Sequence, residues 1–108
     1  MDLTAVSTRL EELSADELYD EFIREESLSV GLYRRPAGGT DPQEPHTEDE
    51  VYYVVSGRAR IEVNGDSSPV APGDVVFVER EADHRFHDIE EELVLLVFFA
   101  PAEGTLAE

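Results

Sequence analysis

The dipeptide Asn64-Gly65 constrains this chain more tightly than any other short feature. Both residues tolerate positive φ, which the tight turn of a two-residue hairpin requires. Before it, Ala59, Ile61 and Val63 alternate with polar residues, the period of a strand with one buried face. A short strand around Ser68–Ala71 follows it. The same punctuation recurs along the chain. Leu28, Val30 and Leu32 alternate with Ser29, Gly31 and Tyr33, and Arg35-Pro-Ala-Gly-Gly39 ends that strand as a turn. Val51–Val55 reads as a buried strand closed by a Ser56-Gly57 turn. Pro72-Gly-Asp74 turns the chain into a strand over Val75–Val78. Glu79–Asp83 is a loop, His84–Asp88 a strand, and Leu93–Ala100 a long central strand. About seven or eight short strands, with turns every ~8–12 residues, predict an all-β antiparallel sandwich or barrel.

The N-terminal stretch has a different period. Leu3, Val6, Leu10 and Leu13 recur at helical spacing. Ser14-Ala-Asp-Glu17 has the form of a capping box, in which the serine oxygen accepts an amide and the glutamate reaches back. A short helix with Leu18, Phe22 and Ile23 on one face should follow. Residues 1–26 are therefore expected to form a helical extension packed on a β domain over 27–101, with 102–108 a loose tail. The first ten residues hold no basic cluster and no apolar run, so no signal peptide is read. The longest apolar run, Leu93–Ala100, is far short of the ~20 residues of a membrane helix. A cytoplasmic protein is the expectation.

Charge excludes some partners. The chain of 108 residues carries 26 acidic and 8 basic residues, a formal net charge of −18. All the basic residues are arginine. Such a surface repels nucleic acid and anionic membranes, which are bound through Lys/Arg patches. Two readings of this composition stay open: a halophile, because salt screens carboxylate repulsion over a Debye length of roughly 10 Å at 0.1 M, or a GC-rich genome that favours arginine over lysine, with an ordinary acidic surface. Cysteine is absent, which removes disulfides and thiolate ligands.

The chemistry concentrates in two stretches. The loop Thr40–Asp49 and the start of the next strand place Glu44, His46 and Glu50 close together, with Glu44 and His46 at the two-residue spacing that sends extended side chains to one side. His84 opens a second strand downstream. Two imidazoles with one or two carboxylates suit Fe(II), Mn(II), Ni(II), Cu(II) or Zn(II), and two histidines with one carboxylate form the ligand set of non-haem iron oxygenases. Glu44 either joins the set or points to solvent. Tyr52, Phe77, Phe86 and Asp88 are candidates to line the pocket, Asp88 because it shares His84's strand parity. That parity sends His87 to the opposite face. No nucleophile triad, phosphate-cradling glycine loop or nucleotide fingerprint occurs.

The intervals carry a resemblance. Gly38, Glu44, His46, Glu50 and Gly57 are spaced like the first motif of the cupin superfamily: glycine, five residues, His-x-His, three or four residues, Glu, six residues, glycine. Gly73, His84 and Asp88 match the intervals of its second motif, and Pro72-Gly-Asp is that motif's usual opening. The chain departs from the pattern at Glu44, which stands at the first histidine, at Glu79 and Glu81, which replace Pro and Gly, and at Asp88, which replaces Asn. The resemblance implies an antiparallel jelly-roll barrel with a short helical N-terminal segment. It implies His46, Glu50 and His84 as ligands of one divalent transition metal, with Glu44 a substitute ligand. It also implies a small-molecule ligand and, for an enzyme, a dioxygenase or isomerase. A non-catalytic small-molecule-binding or sensor barrel is the alternative, and a homodimer is the expected assembly.

Overall fold

The computed structural model describes residues 1–13 and 18–106; Ser14–Glu17, the expected capping box, lies outside the described residues. Among the described residues are one helix, α1 (Val6–Glu12), and six strands: β1 (Tyr19–Arg24), β2 (Ser29–Arg35), β3 (Asp49–Val63), β4 (Asp66–Val70), β5 (Val75–Val78) and β6 (His84–Ala100). All pair antiparallel, in the order β1-β2-β6-β3-β4, with β5 on β3. None of the described helices is long and apolar enough to cross a membrane.

The barrel is a folded ribbon of β3 and β6. At one end Glu50–Tyr53 of β3 lie between β5 and the last turn-free stretch of β6, with Glu50 opposite both Val78 and Phe99. At the other end Ala59–Val63 lie between β4 and the start of β6, with Val63 opposite His84. The Ser56-Gly57 turn expected from the sequence is a bulge inside one continuous strand, and register shifts cluster from Val54 to Arg60. Gly57 has φ +96°, and a Cβ there would run into the Glu92 backbone. A bulge adds a residue on one side and reverses parity beyond it. Glu50, Tyr52 and Val54 point inward before it, and Ala59 and Ile61 after it.

β6 repeats the device. His84 and Phe86 point inward, Asp88 takes φ +48°, and Ile89, Leu93, Leu95, Val97 and Phe99 face inward beyond it. The core gathers Tyr33, Tyr52, Val54, Ile61, Val78, Phe86, Leu93, Leu95, Val97 and Phe99. Buried aliphatic and aromatic side chains each contribute about 1.5–3 kcal/mol by leaving water.

Two expectations for the ends of the chain fail. Tyr19–Arg24 is a strand, not a helix: Tyr19 pairs with Tyr33 and Arg24 with Ser29. Ladder bonds to β2 outweigh the helical spacing of Leu18 and Phe22, as tertiary context does for short segments. The short α1 lies against β2 and is tied to β1 by an Arg9–Asp20 ion pair at 2.8 Å and by Arg9 over the Phe22 ring at 5.6 Å. At the other end, residues 102–106 are docked rather than loose. The buried Glu48 carboxylate accepts the Gly104 amide at 2.9 Å, the Leu106 amide at 3.0 Å and the Thr47 hydroxyl. Ser29 Oγ accepts the Glu103 amide at 3.0 Å, and Arg24 donates to the Glu103 carbonyl at 2.8 Å.

Candidate metal centre

Glu50 and His84 come from opposite ends of the ribbon. Glu50 and Val63, the partner of His84, are thirteen residues apart, about 43 Å along a straight strand at ~3.3 Å per residue. Yet Glu50 Oε1 and His84 Nε2 are 3.2 Å apart. The bulged bend of β3 closes that distance. His46 joins them from the loop before β3, and its carbonyl accepts the Glu81 amide at 2.7 Å, which ties the loop to the turn before β6. One ligating atom from each of His46, Glu50 and His84 lies within 4.8 Å of the others.

Hydrogen bonds orient these donors. His84 Nδ1 is 3.0 Å from the Ala82 carbonyl and donates to it, so Nε2 is the nitrogen that faces Glu50. His46 Nε2 is 4.0 Å from Glu50 Oε1 and 3.1 Å from Gln43 Oε1. Its Nδ1 faces Glu103 Oε2 at 3.7 Å. Glu50 is 2% exposed, and among the described residues neither Glu50 Oε1 nor His84 Nε2 completes a well-formed hydrogen bond, although the two face each other at 3.2 Å. Burial works to lower the His84 pKa, but the Glu50 carboxylate and the Ala82 carbonyl outweigh it and hold the value above the usual imidazole range. A buried anion beside two imidazoles favours a cation between them.

A cavity of about 200 Å³ opens beside these groups. Its walls are Leu18, Tyr19, Tyr33, Pro42, Val97 and Phe99, with Gln43, His46, Glu50 and Glu103 as polar members. No arginine is among them. Burial raises the Glu103 carboxyl above its ordinary value, against the opposite pull of His46. Burial also raises the Tyr19 and Tyr33 hydroxyls, so both stay protonated as donors. Asp41 anchors the loop: it accepts the Tyr33 hydroxyl and the Phe86 amide, the latter at 2.8 Å. Its own pKa is raised by burial, only partly offset by those two donors.

Other expected positions lie elsewhere. Glu44 is exposed and takes no part in the three-residue cluster. Phe77 is 61% exposed, because β5 sets it opposite Val51 on the outer face. Asp88 also faces solvent, since its positive φ breaks the parity it would share with His84, and it pairs with His87 Nδ1 at 3.1 Å. Tyr52 and Phe86 are core beneath the centre, with ring centroids 4.9 Å apart and Tyr52 6.1 Å from the His84 ring. The sequence reading missed Tyr19, Tyr33, Gln43, Phe99 and Glu103. Gln43 lies in the loop singled out by the sequence, but helical spacing hides Tyr19 and Glu103 falls in the expected loose tail.

Residues 31–99 match the sequence profile of the cupin domain. The chain belongs to the cupin family. This cupin is 51% identical, over 101 residues, to an uncharacterized protein of Streptomyces coelicolor, with 89% of this chain and 96% of that protein covered. Among solved structures, it resembles protein NMB1881 of Neisseria meningitidis at TM-score 0.76 and 17% identity, over 92% of this chain and 99% of that one. It also resembles the DMSP lyase DddQ of Ruegeria pomeroyi at TM-score 0.73 and 25% identity, over 89% of this cupin and 53% of that chain.

Proposed function

We propose that this cupin binds one divalent transition metal through His46, Glu50 and His84 and acts on a small organic molecule held in the adjoining cavity. The carrying observation is the pair Glu50 Oε1 and His84 Nε2: buried, 3.2 Å apart and, among the described residues, without a well-formed hydrogen bond. Buried polar atoms are nearly always satisfied, so a pair left open marks a place for a ligand. Two imidazoles and a carboxylate are a fitting donor set for Fe(II), Mn(II), Ni(II), Cu(II) or Zn(II).

A metal held there would supply Lewis acidity or, if iron, O₂ chemistry. The protein supplies the rest. Ala82 fixes the His84 tautomer, and Glu103 faces the remaining nitrogen of His46, as outer groups do at metal sites. Tyr19 and Phe99 give the cavity aromatic walls that exclude water from a bound organic molecule. The protonated Tyr33 hydroxyl lies at the same wall, held by Asp41. Dioxygenase and isomerase chemistry both fit such a site, and the structural likeness to a protein named a lyase adds a third class.

The test is elemental analysis of protein purified without added metal or chelator, beside His46→Ala and His84→Ala. The expected result is close to one metal per chain, lost in both variants. Wild-type protein that takes up none of the five metals on reconstitution would refute the reading.

A further inference from the structure

We infer that Gln43, not Glu44, supplies the fourth protein donor to the metal, through its side-chain carbonyl oxygen. The inference rests on the metal reading above and adds a residue to it. Of the two ring nitrogens of His46, Nδ1 faces Glu103 and Nε2 faces Glu50. Nε2 is therefore the nitrogen turned toward the other ligands. Gln43 Oε1 lies 3.1 Å from that same atom. At that distance the His46 Nε2–H donates to the carbonyl oxygen. When the proton gives way to a cation, the oxygen is left facing the cation. The donor separations suit one ion. Bonds of ~2.1 Å place neighbouring donors roughly 3.0–3.4 Å apart and opposite donors about 4.2 Å apart. The separations are 3.1 Å for Gln43–His46, 3.2 Å for His84–Glu50 and 4.0 Å for His46–Glu50.

The loop fixes this aim on both sides of Gln43. Two residues earlier, Asp41 is held by the Tyr33 hydroxyl and the Phe86 amide. Three residues later, the His46 carbonyl holds the Glu81 amide. Gln43 is half-buried in the cavity wall, whereas Glu44 is exposed. The exchange also changes the charge of the centre. A carboxamide is a neutral oxygen donor. With Glu50 the only anionic ligand, a divalent centre keeps one net positive charge, and a fourth ligand at Glu44 would have cancelled it. A neutral amide oxygen is also more easily displaced by an incoming oxygen ligand than a carboxylate is.

The experiment loads the full chain with Cu(II) and reads the nitrogen hyperfine splitting in its electron paramagnetic resonance spectrum, together with affinity by competition with a coloured chelator. Wild type should show two coupled imidazole nitrogens. Gln43→His should show three. Gln43→Leu should bind at least about 10–100-fold more weakly, the loss that removing even an outer partner causes. Glu44→Ala should bind like wild type. Circular dichroism establishes that each variant is folded, and Gln43→Glu, which keeps the oxygen, should restore affinity. The inference is overturned if Gln43→His still shows two nitrogens, if Gln43→Leu binds like wild type, or if Glu44→Ala weakens binding as Gln43→Leu is expected to. A folded wild type that binds no Cu(II) overturns the metal reading as well, an outcome distinct from binding that ignores Gln43.

Discussion

Replacing Glu48 by glutamine should release the C-terminal segment while leaving the barrel folded. Glu48 is 1% exposed, and its carboxylate accepts the amides of Gly104 and Leu106 on separate oxygens. Hydrogen bonds to a charged group are worth about 1.5–3 kcal/mol each, and neutral ones about 0.5–1.5. A glutamine offers one oxygen and one NH₂ group. One amide keeps a weaker acceptor, and the other meets a donor. The sum is a loss of roughly 2–4 kcal/mol, which at 1.4 kcal/mol per decade is about 30- to 700-fold in the docking equilibrium. Both amides lie beyond the end of β6, outside the paired strands, so the loss should appear as local opening. Amide hydrogen exchange reads it directly. Gly104 and Leu106 should exchange faster by that factor in Glu48→Gln, while amides of Val54 and Leu95 keep their wild-type rates. Unchanged protection at 104 and 106 would refute the reasoning, and so would uniform acceleration across the barrel.

The pH dependence of the docked segment has a definite sign. Burial acts to raise the Glu48 pKa, but the Thr47 hydroxyl and the amides of Gly104 and Leu106 outweigh it, and the folded value lies below the ordinary one. A carboxylate depressed on folding contributes stability that is present above the ordinary glutamate range and is lost as pH falls through the folded value. Acid should therefore loosen the segment, read as protection factors corrected for intrinsic exchange, and Glu48→Gln should lose this dependence. Phe86→Ala, at a site 1% exposed, should cost about 3–5 kcal/mol in urea unfolding, whereas Phe77→Ala should stay within about 0.5 kcal/mol; equal effects would contradict the placement of β5. Gly57→Ala should cost roughly 2–5 kcal/mol, since alanine there must hold φ +96° and meet the Glu92 backbone, and an unchanged denaturation midpoint would count against the bulge. Gly31→Ala places a methyl in the Tyr19 ring, and the expected result is a displaced ring, seen as a shifted Tyr19 aromatic resonance by NMR, with β2 still paired; an unmoved resonance would oppose it.

The barrel was legible because turn chemistry and two-residue alternation agree over most of the chain. The candidate donors His46, Glu50 and His84 could be singled out because their residue types and intervals are visible without knowing the bend. What failed was parity. A bulge at Gly57 and a positive φ at Asp88 each reverse the inward face, and a strictly alternating strand therefore sends Asp88 inside. Phe77 failed differently: an isolated four-residue strand does not announce which of its faces is covered. Tyr19–Arg24 reads as a helix because nothing local reveals that β2 offers it a free edge. Glu103 carried no signal, since its role depends on Glu48, more than fifty residues away, catching the amides of Gly104 and Leu106 just after it.

The curled ribbon also sets when the centre can exist. His46 and Glu50 are four residues apart, so two of the proposed donors are close together before folding. His84 arrives only when β6 has zipped along β3 and the bend at Gly57 has brought the two ends of the ribbon together. Closing such a loop is a late, entropically costly event in β-rich chains. An ion that needs all of these donors thus distinguishes the closed barrel from every partly zipped form, and each tenfold excess over its dissociation constant adds about 1.4 kcal/mol to closure alone. On the metal reading proposed above, the centre would work as a clasp on the closing of the barrel, and the concentration of free ion would set how firmly the clasp holds.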